Sequence, residues 1–232
     1  MESGLYADGG YLLKNPGWHE QDAPWKARHI QRMLDRNRLQ PRSVIDVGSG
    51  SGDILSLLSR TLPADAVMTG YEVSPQAHGL SISKQTDRLT FRLEDAFGVE
   101  TPRADLAMAI DVIEHIPDCY GFASKLREKA EYKLYHIPLD LSASSVFRTR
   151  PLGFVRARYG HIHFFTRATA IAMLSDTGHD VIDAFYTATA LEVAEHGWRA
   201  RLMAFPRKSL KLLGTDFAAR TLGGFSLMVL AK

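Results

Sequence analysis

The sequence predicts an α/β protein, and three observations lead to that prediction. Short β-branched or apolar runs alternate along the chain with segments whose apolar residues recur at helical spacing. A glycine-rich stretch, residues 46–52, lies where the first of these runs gives way to a helix. Residues 104–110 are almost continuously apolar, which is typical of a strand covered on both faces. Together these features indicate a largely parallel sheet flanked by helices.

The predicted strands and helices follow one another in a regular order. Val44 and Ile45 form the β-branched centre of the first strand, and residues 54–58 carry apolar side chains at helical spacing. Pro75 suits the first position of a helix. On these grounds we predict strands at residues 43–47, 66–73, 89–93, 104–110, 132–137, 181–186 and 225–230, and helices after Asp22 and at residues 54–58, 75–84, 121–130 and 166–176.

Three segments lie outside this alternation. Residues 1–42 contain aromatic side chains and a helical stretch with one apolar face, residues 141–175 contain five arginines and no acidic residue, and residues 188–224 are predicted to be mostly helical. We therefore predict a single domain over residues 1–232, with an N-terminal helical cap (1–42), a core (43–187), a helical insertion (188–224) and the last strand (225–232). The segments outside the alternation are candidate lids over a site at the sheet edge.

Composition and charge exclude several classes of protein. The 232 residues are 45% hydrophobic and 23% charged, close to the average of soluble globular proteins, which argues against intrinsic disorder. A formal net charge of +2 gives no reason to expect nucleic acid or a membrane as partner. The single cysteine, Cys119, allows no intramolecular disulfide, and no apolar run approaches the roughly 20 residues of a bilayer span. We expect a cytoplasmic protein.

The glycine-rich stretch predicts a ligand crevice. Glycines at a strand-to-helix turn let a ligand approach backbone N–H groups and the helix N-terminus. The dinucleotide fingerprint would need its third glycine at position 53, where this chain has Asp53. No Gly-Lys-Ser/Thr sequence follows, so a triphosphate-binding loop is not supported either. The ligand is therefore predicted not to be rich in phosphate.

An acidic residue lies at or just after the end of each of the first four predicted strands. Glu72, twenty residues beyond Gly52, is placed to accept both hydroxyls of a ribose. Asp95 can accept from an exocyclic amine, and Asp46 and Asp111 reach the same edge of the sheet. Any one of these acids could instead cap a strand end. Their shared register favours a nucleoside site.

Residues 44–52, 70–74 and 111–116 resemble successive motifs of class I S-adenosylmethionine-dependent methyltransferases. The resemblance covers about residues 40–190, and residues 111–116 with 160–166 are similar to the type 11 and type 23 branch that acts on small metabolites. It implies a Rossmann-like, doubly wound sheet of seven strands, mostly parallel with an antiparallel last strand. It also implies S-adenosylmethionine as the cofactor.

The resemblance assigns residues to the predicted cofactor site. The glycine turn lies against the methionine part of the cofactor, Glu72 binds the ribose diol, and Asp95 with Ala96 lies at the adenine. The full predicted set is Asp46, Gly48, Ser49, Gly50, Gly52, Glu72, Val73, Asp95, Ala96 and Asp111.

The acceptor side of the site is predicted from aromatic and histidine side chains. Methyl transfer needs alignment of the acceptor with the sulfonium methyl, and aromatic faces can hold that cation. The predicted acceptor-binding residues are Tyr11, Trp18, His19 and His163. A hydroxyl or amine acceptor also needs a base, and histidine titrates near neutrality. The predicted catalytic residues are His115, the first choice as base, Asp111 and His161, although each histidine could instead have a structural role.

A metal site is an alternative use of part of this set. Asp111, Glu114 and His115 form D-x-x-E-H, similar to the E-x-x-E-H of divalent-metal-dependent quinone and small-RNA methyltransferases, where a later histidine, here His161, completes the ligands. Such mixed oxygen and nitrogen ligands suit Mg²⁺. Metal-free members carry the same letters, and aspartate shortens the first ligand. We therefore expect no metal.

The sequence thus predicts an enzyme that transfers a methyl group from S-adenosylmethionine to an oxygen, nitrogen or carbon atom of a small molecule. The acid-free arginine stretch suggests an anionic acceptor, because arginine forks match carboxylate and phosphate groups, although it could equally be a solvated basic face. Two alternatives stay open: an RNA methyltransferase that uses those arginines on phosphates, and a non-catalytic S-adenosylmethionine-binding scaffold. The oligomeric state also stays open.

Overall fold

The computed structural model describes residues 20–98, 100, 103–148, 150–188 and 214–232. Three of the predicted acceptor-binding residues, Tyr11, Trp18 and His19, lie outside the described residues. Residues 189–213, most of the predicted helical insertion, also lie outside them.

Strands and helices alternate through most of the described chain. The strands are β1 (Ser43–Val47), β2 (Val67–Glu72), β3 (Leu89–Leu93), β4 (Ala104–Ile110), β5 (Ala130–Pro138), β6 (Val181–Thr187) and β7 (Ser226–Ala231). The α-helices are α1 (Ala23–Arg36), α2 (Asp53–Leu58), α3 (Pro75–Ser81), α4 (Cys119–Lys129), α5 (Ala143–Arg148), α6 (Arg150–Tyr159), α7 (Arg167–Asp176) and α8 (Thr215–Leu222). Short 3-10 turns cover Glu20–Asp22, Ile82–Lys84 and Ile113–His115.

The strands form one seven-stranded sheet in the order β3-β2-β1-β4-β5-β7-β6. β7 pairs antiparallel with both β5 and β6, and the pairs formed by β1 to β5 are parallel. The predicted Rossmann-like fold with an antiparallel last strand is therefore confirmed. The strand order reverses between β1 and β4, and ligands of such sheets bind outside the carboxyl ends of the strands at this point.

Helices cover both faces of the sheet. On one face, α1 and α2 bury Ile30, Met33 and Leu55 against the strands. On the other face, α4 and α7 bury Leu126 and Met173. β4 lies in the middle of the sheet with six of its seven residues buried, which explains its continuous apolar sequence.

Two features differ from the sequence expectations. The fourth helix begins at Cys119 rather than Gly121, because the Asp118 side chain accepts a hydrogen bond from the Gly121 N–H at 2.8 Å and caps the helix start. Helices α5 and α6 lie in a segment where the sequence predicts no helix. α6 has no buried residue, so it lacks the apolar stripe from which a helix is predicted.

Candidate active site

The glycine-rich turn between β1 and α2 has a backbone that glycine adopts most readily. Gly48, Gly50 and Gly52 have φ values of 79°, 56° and 81°. A Cβ atom on Gly48 would lie 2.7 Å from Val112 Cγ2. The N–H groups of Gly48 and Ser49 both donate to the Tyr71 carbonyl, at 2.8 and 3.0 Å. The turn is therefore held tightly against the end of β2.

Asp46 and Glu72 bring two buried carboxyl groups to this turn. Asp46 is 2% exposed, and its Oδ1 has no hydrogen-bond partner in the described part of the chain. Burial, followed by the charge of Glu72, raises the pKa of Asp46 to about 7, against an opposing effect of Lys26. A buried oxygen without a hydrogen-bond partner can accept from a ligand that carries donors.

Glu72 binds the glycine turn directly. Its Oε2 accepts from the Gly50 N–H at 2.8 Å, and its Oε1 accepts from Val73 and Ser74 N–H groups, each at 2.8 Å. Burial raises the pKa of Glu72, although these N–H groups act in the opposite direction. Oε2 keeps one lone-pair position for a further donor such as a ribose hydroxyl.

Asp53 occupies the position where the dinucleotide fingerprint has its third glycine. Its carboxylate is paired with other side chains of the protein. Asp53 Oδ2 forms an ion pair with Lys84 Nζ at 3.0 Å and accepts from the Ser51 hydroxyl at 2.7 Å. Lys84 also donates to the Ser51 carbonyl at 2.7 Å. These contacts fix the start of α2 beside the turn.

The predicted adenine-binding residues differ in their surroundings. Asp95 is exposed after β3, and its Oδ1 accepts from the Phe97 N–H at 3.0 Å. Ala96 is buried in the core beside α4. Asp95 therefore keeps acceptor capacity at the sheet edge, whereas the side chain of Ala96 packs inward.

Asp111 follows β4 in a left-handed backbone conformation, with a φ of 54°. Its Oδ2 lies 2.7 Å from Lys26 Nζ, and its Oδ1 lies 2.5 Å from His136 Nδ1. Burial would raise the pKa of Asp111, but His136 and then Lys26 lower it well below the usual range. Asp111 is therefore a fixed anion and not a proton acceptor at neutral pH.

Glu114, His115 and His161 form a cluster whose ligating atoms lie within 4.8 Å of one another. His115 Nδ1 lies 3.2 Å from the Gly160 carbonyl, and His161 Nδ1 lies 2.6 Å from Asp140 Oδ2. Both partners are acceptors, so each Nδ1 carries the proton and each Nε2 carries the lone pair in the neutral ring.

Glu114 is fully buried, and neither of its carboxyl oxygens has a hydrogen-bond partner among the described residues. Burial and the nearby Asp111 raise its pKa well above the usual range. Burial and the adjacent His161 lower the pKa of His115 to about 4. The cluster thus contains a buried carboxyl group beside two histidines.

The cluster contains three of the four residues of the alternative metal set. The fourth, Asp111, uses its oxygens on Lys26 and His136 instead. His163, a predicted acceptor-binding residue, lies outside the cluster, because its Nε2 contacts the carbonyls of Ile116 at 2.9 Å and Pro117 at 3.2 Å.

Sequence analysis did not single out Lys26 or Asp140. Asp140 follows β5 as Asp111 follows β4, so the same strand-end pattern could have indicated it. Lys26 carried no comparable signal, because its contact with Asp111 joins the N-terminal helix to a strand end far along the chain.

The chain matches a known protein family. Residues 18–184 match the family model described as "Methyltransferase domain". The chain belongs to this family. The match confirms the predicted methyltransferase family.

The chain is also similar to a curated relative. It is 27% identical over 113 residues to the ubiquinone biosynthesis O-methyltransferase of Xanthomonas oryzae pv. oryzae, which corresponds to 44% of this chain and 46% of the relative. The chain thus matches about half the length of that relative.

Two solved structures share the fold. The magnesium protoporphyrin IX methyltransferase of Synechocystis PCC 6803 with bound S-adenosylhomocysteine is 16% identical, with a TM-score of 0.59 over 92% of this chain and 82% of the other. An S-adenosylmethionine-dependent methyltransferase from Thiobacillus denitrificans, in complex with S-adenosylhomocysteine, is also 16% identical, with a TM-score of 0.61 over 95% and 96% of the two chains.

Within the described ranges, no helix has both the length and the apolar character needed to cross a bilayer.

Proposed function

We propose that this methyltransferase transfers a methyl group to a hydroxyl oxygen of a small molecule bound at the cluster of Glu114, His115 and His161. The observation that carries the proposal is the contact of 2.6 Å between His161 Nδ1 and Asp140 Oδ2. A carboxylate on Nδ1 orients the ring and stabilises the imidazolium that forms when Nε2 takes a proton. His161 is thereby suited to act as a general base.

The cofactor is proposed to lie along the edge formed by β1, β2 and β4. Gly48, Ser49, Gly50 and Gly52 would face its methionine part, Glu72 with Val73 its ribose, and Asp95 with Ala96 its adenine. Two buried polar atoms at this edge, Asp46 Oδ1 and Ser49 Oγ, have no hydrogen-bond partner among the described residues and support the placement. When bound, S-adenosylmethionine supplies an electron-poor methyl group on a sulfonium sulfur.

The residues of this chain would then deliver the acceptor. Nε2 of His161 takes the hydroxyl proton as the acceptor oxygen forms a bond to the methyl carbon, and the carbon–sulfur bond breaks. The products are a methyl ether and S-adenosylhomocysteine, and the proton on His161 passes to solvent. His115, whose pKa burial and His161 lower to about 4, is a weak base and is proposed to orient the acceptor with Glu114. The relative from Xanthomonas oryzae pv. oryzae is an O-methyltransferase, which supports oxygen as the methylated atom.

RNA is the second candidate substrate, because α5 and α6 present a basic and aromatic surface. Phe147 is 90% exposed, and Phe154 and four arginines of these helices are also exposed. Arginines can bind phosphates, and aromatic rings can stack on bases. Turnover of RNA would fall steeply with salt, whereas turnover of an uncharged small molecule would not.

The first experiment is calorimetric titration of the wild type, Glu72→Ala and Asp65→Ala with S-adenosylhomocysteine. We expect micromolar binding by the wild type, a loss of about 100-fold or more in Glu72→Ala because three backbone contacts and a ligand contact disappear, and unchanged binding in Asp65→Ala. Asp65 is the matched control, since its exposed carboxylate pairs with Arg42 at the other end of the sheet. Normal binding by a folded Glu72→Ala protein would refute the cofactor placement.

The second experiment supplies S-adenosylmethionine with labelled methyl to a panel of small hydroxylated compounds and to RNA. For any acceptor found, we expect His161→Gln to lower kcat by about 100-fold or more while S-adenosylhomocysteine binding stays unchanged. Asp140→Asn should also lower kcat. An unchanged kcat in His161→Gln would show that another group removes the proton.

A further inference from the structure

A series of buried polar contacts lies behind Asp111, apart from the acceptor cluster. Lys26 Nζ holds one oxygen of Asp111 at 2.7 Å, and His136 Nδ1 holds the other at 2.5 Å. On its other side, His136 Nε2 lies 2.8 Å from Thr187 Oγ1. Four side chains from α1, the end of β4, β5 and the end of β6 therefore contact one another in series.

The hydrogen-bond directions in this series follow from its members. The Asp111 carboxylate only accepts, so His136 Nδ1–H donates to it. In the neutral ring, Nε2 then accepts from the Thr187 hydroxyl. His136 is 1% exposed and Thr187 is fully buried, so the protein itself pairs both ring nitrogens.

His136 holds Asp111 in a second way. The Asp111 N–H donates to the His136 carbonyl at 3.0 Å. Asp111 has a φ of 54°, a conformation that L residues adopt only when their surroundings support it. A main-chain contact and a side-chain contact to the same residue give that support.

The Asp111 side chain nevertheless stays 25% exposed at the end of β4, although Lys26 and His136 hold its two oxygens. A carboxylate that neighbouring groups hold, but that stays partly exposed, presents its charge in one fixed position. Asp111 is one of the predicted cofactor-binding residues and follows β4, on the edge where the cofactor is proposed to lie, so the following inference rests on the proposed function.

We propose that His136, supported by Thr187, is a positioning residue that acts through Asp111 and sets the affinity for the cofactor. It holds the Asp111 carboxylate where the carboxyl ends of β1 and β4 meet, and with Lys26 it ties α1 to that edge. Neither His136 nor Thr187 needs to touch the cofactor in this role.

The test measures S-adenosylhomocysteine affinity by calorimetry in paired variants of the full chain. His136→Leu removes the donor to Asp111, whereas His136→Asn keeps an N–H donor near the Nδ1 position. We expect His136→Leu to weaken binding by about 10-fold or more, since a hydrogen bond to a charged carboxylate is lost, and His136→Asn to stay within about 3-fold. Thr187→Val should weaken binding, and Thr187→Ser should not.

A double-mutant cycle separates positioning from general destabilisation. In the Asp111→Asn background, His136→Leu should cause no further loss of affinity, because the two residues act as one unit. Thermal unfolding without ligand checks that each variant is folded.

Three results would overturn the inference: wild-type affinity in folded His136→Leu, an equal loss in His136→Asn, or full additivity in the cycle. Absence of binding by the wild type would instead refute the proposed function, and the inference with it.

Discussion

Gly52 shows how a single residue type can be required by backbone and packing together. Its φ is 81°, and a Cβ atom there would lie 2.5 Å from Phe91 Cζ and 2.9 Å from Ser81 Cβ. Phe91 also lies against Gly70 of β2, where a Cβ atom would be 2.7 Å from Phe91 Cδ1. The sequence around the glycine turn is thus constrained by close packing as well as by its predicted ligand.

A glycine-to-alanine pair tests this constraint. We expect Gly52→Ala to lower the free energy of unfolding by about 2 kcal/mol or more, through overpacking and the unfavourable φ. Gly79→Ala is the matched control, because Gly79 lies in α3 with no neighbouring atom within 4 Å of the added Cβ. It should stabilise the protein by about 0.5 kcal/mol through higher helix propensity. Urea unfolding measures both values, and equal effects of the two substitutions would contradict the packing argument.

At the scale of elements, α7 begins with a well-defined cap. The Thr166 side chain accepts from the Thr169 N–H, and the Thr169 hydroxyl accepts from the Thr166 N–H at 2.9 Å. This capping box satisfies two N–H groups that the helix cannot pair internally. The helix then buries Ala170, Met173 and Leu174 against the sheet. The cap therefore also fixes where the segment after His163 ends and α7 begins.

Removal of this cap should cost stability. We expect Thr166→Ala to lower the free energy of unfolding by about 1 kcal/mol, the usual effect of losing a threonine cap. Ser175→Ala, an exposed substitution in the last turn of the same helix, should change it by less than about 0.5 kcal/mol. Urea denaturation of the two variants makes the comparison, and a smaller effect at Thr166 than at Ser175 would argue against the cap.

At the scale of the whole molecule, the fold gathers buried carboxyl groups at one edge of the sheet. Asp46, Glu72 and Glu114 are all buried there, and burial raises the pKa of each. Lys26 brings positive charge to Asp111 from the N-terminal helix. Buried groups with raised pKa values oppose stability at neutral pH, and such groups concentrate at functional sites. The site is therefore maintained by the stability of the surrounding core.

This arrangement predicts a pH dependence of stability without ligand. The pKa of Asp46 is about 7 in the folded protein, against an ordinary value of 3.8. Between these values the folded protein keeps a proton that the unfolded chain releases, so the contribution of Asp46 to stability falls as pH rises. The slope is at most about 1.4 kcal/mol per pH unit.

Asp46→Asn removes this dependence. We expect its free energy of unfolding, relative to wild type, to increase between about pH 4 and pH 7 and to level off above that range. Urea titrations across this range measure the difference. Parallel curves for the two proteins would show that Asp46 does not hold its proton in the folded state.

The sequence by itself determined the order of strands and helices, the glycine turn, and the acids at the ends of β1, β2 and β4. These features depend on local spacing and on short-range backbone requirements, which a pattern of residues expresses directly. The sequence also predicted His115 and His161 as catalytic residues. It could not predict helix α6, because that helix has no apolar stripe facing the core.

Only the tertiary structure decided which polar side chains meet. His136 and Asp111 are separated by 25 residues, His136 and Thr187 by 51, and His161 and Asp140 by 21. The sheet order places β4, β5, β7 and β6 side by side, which brings Asp111, His136 and Thr187 together although no local pattern links them. The raised pKa of Glu114 and the lowered pKa of Asp111 follow from burial and partners, which exist only once the chain has folded.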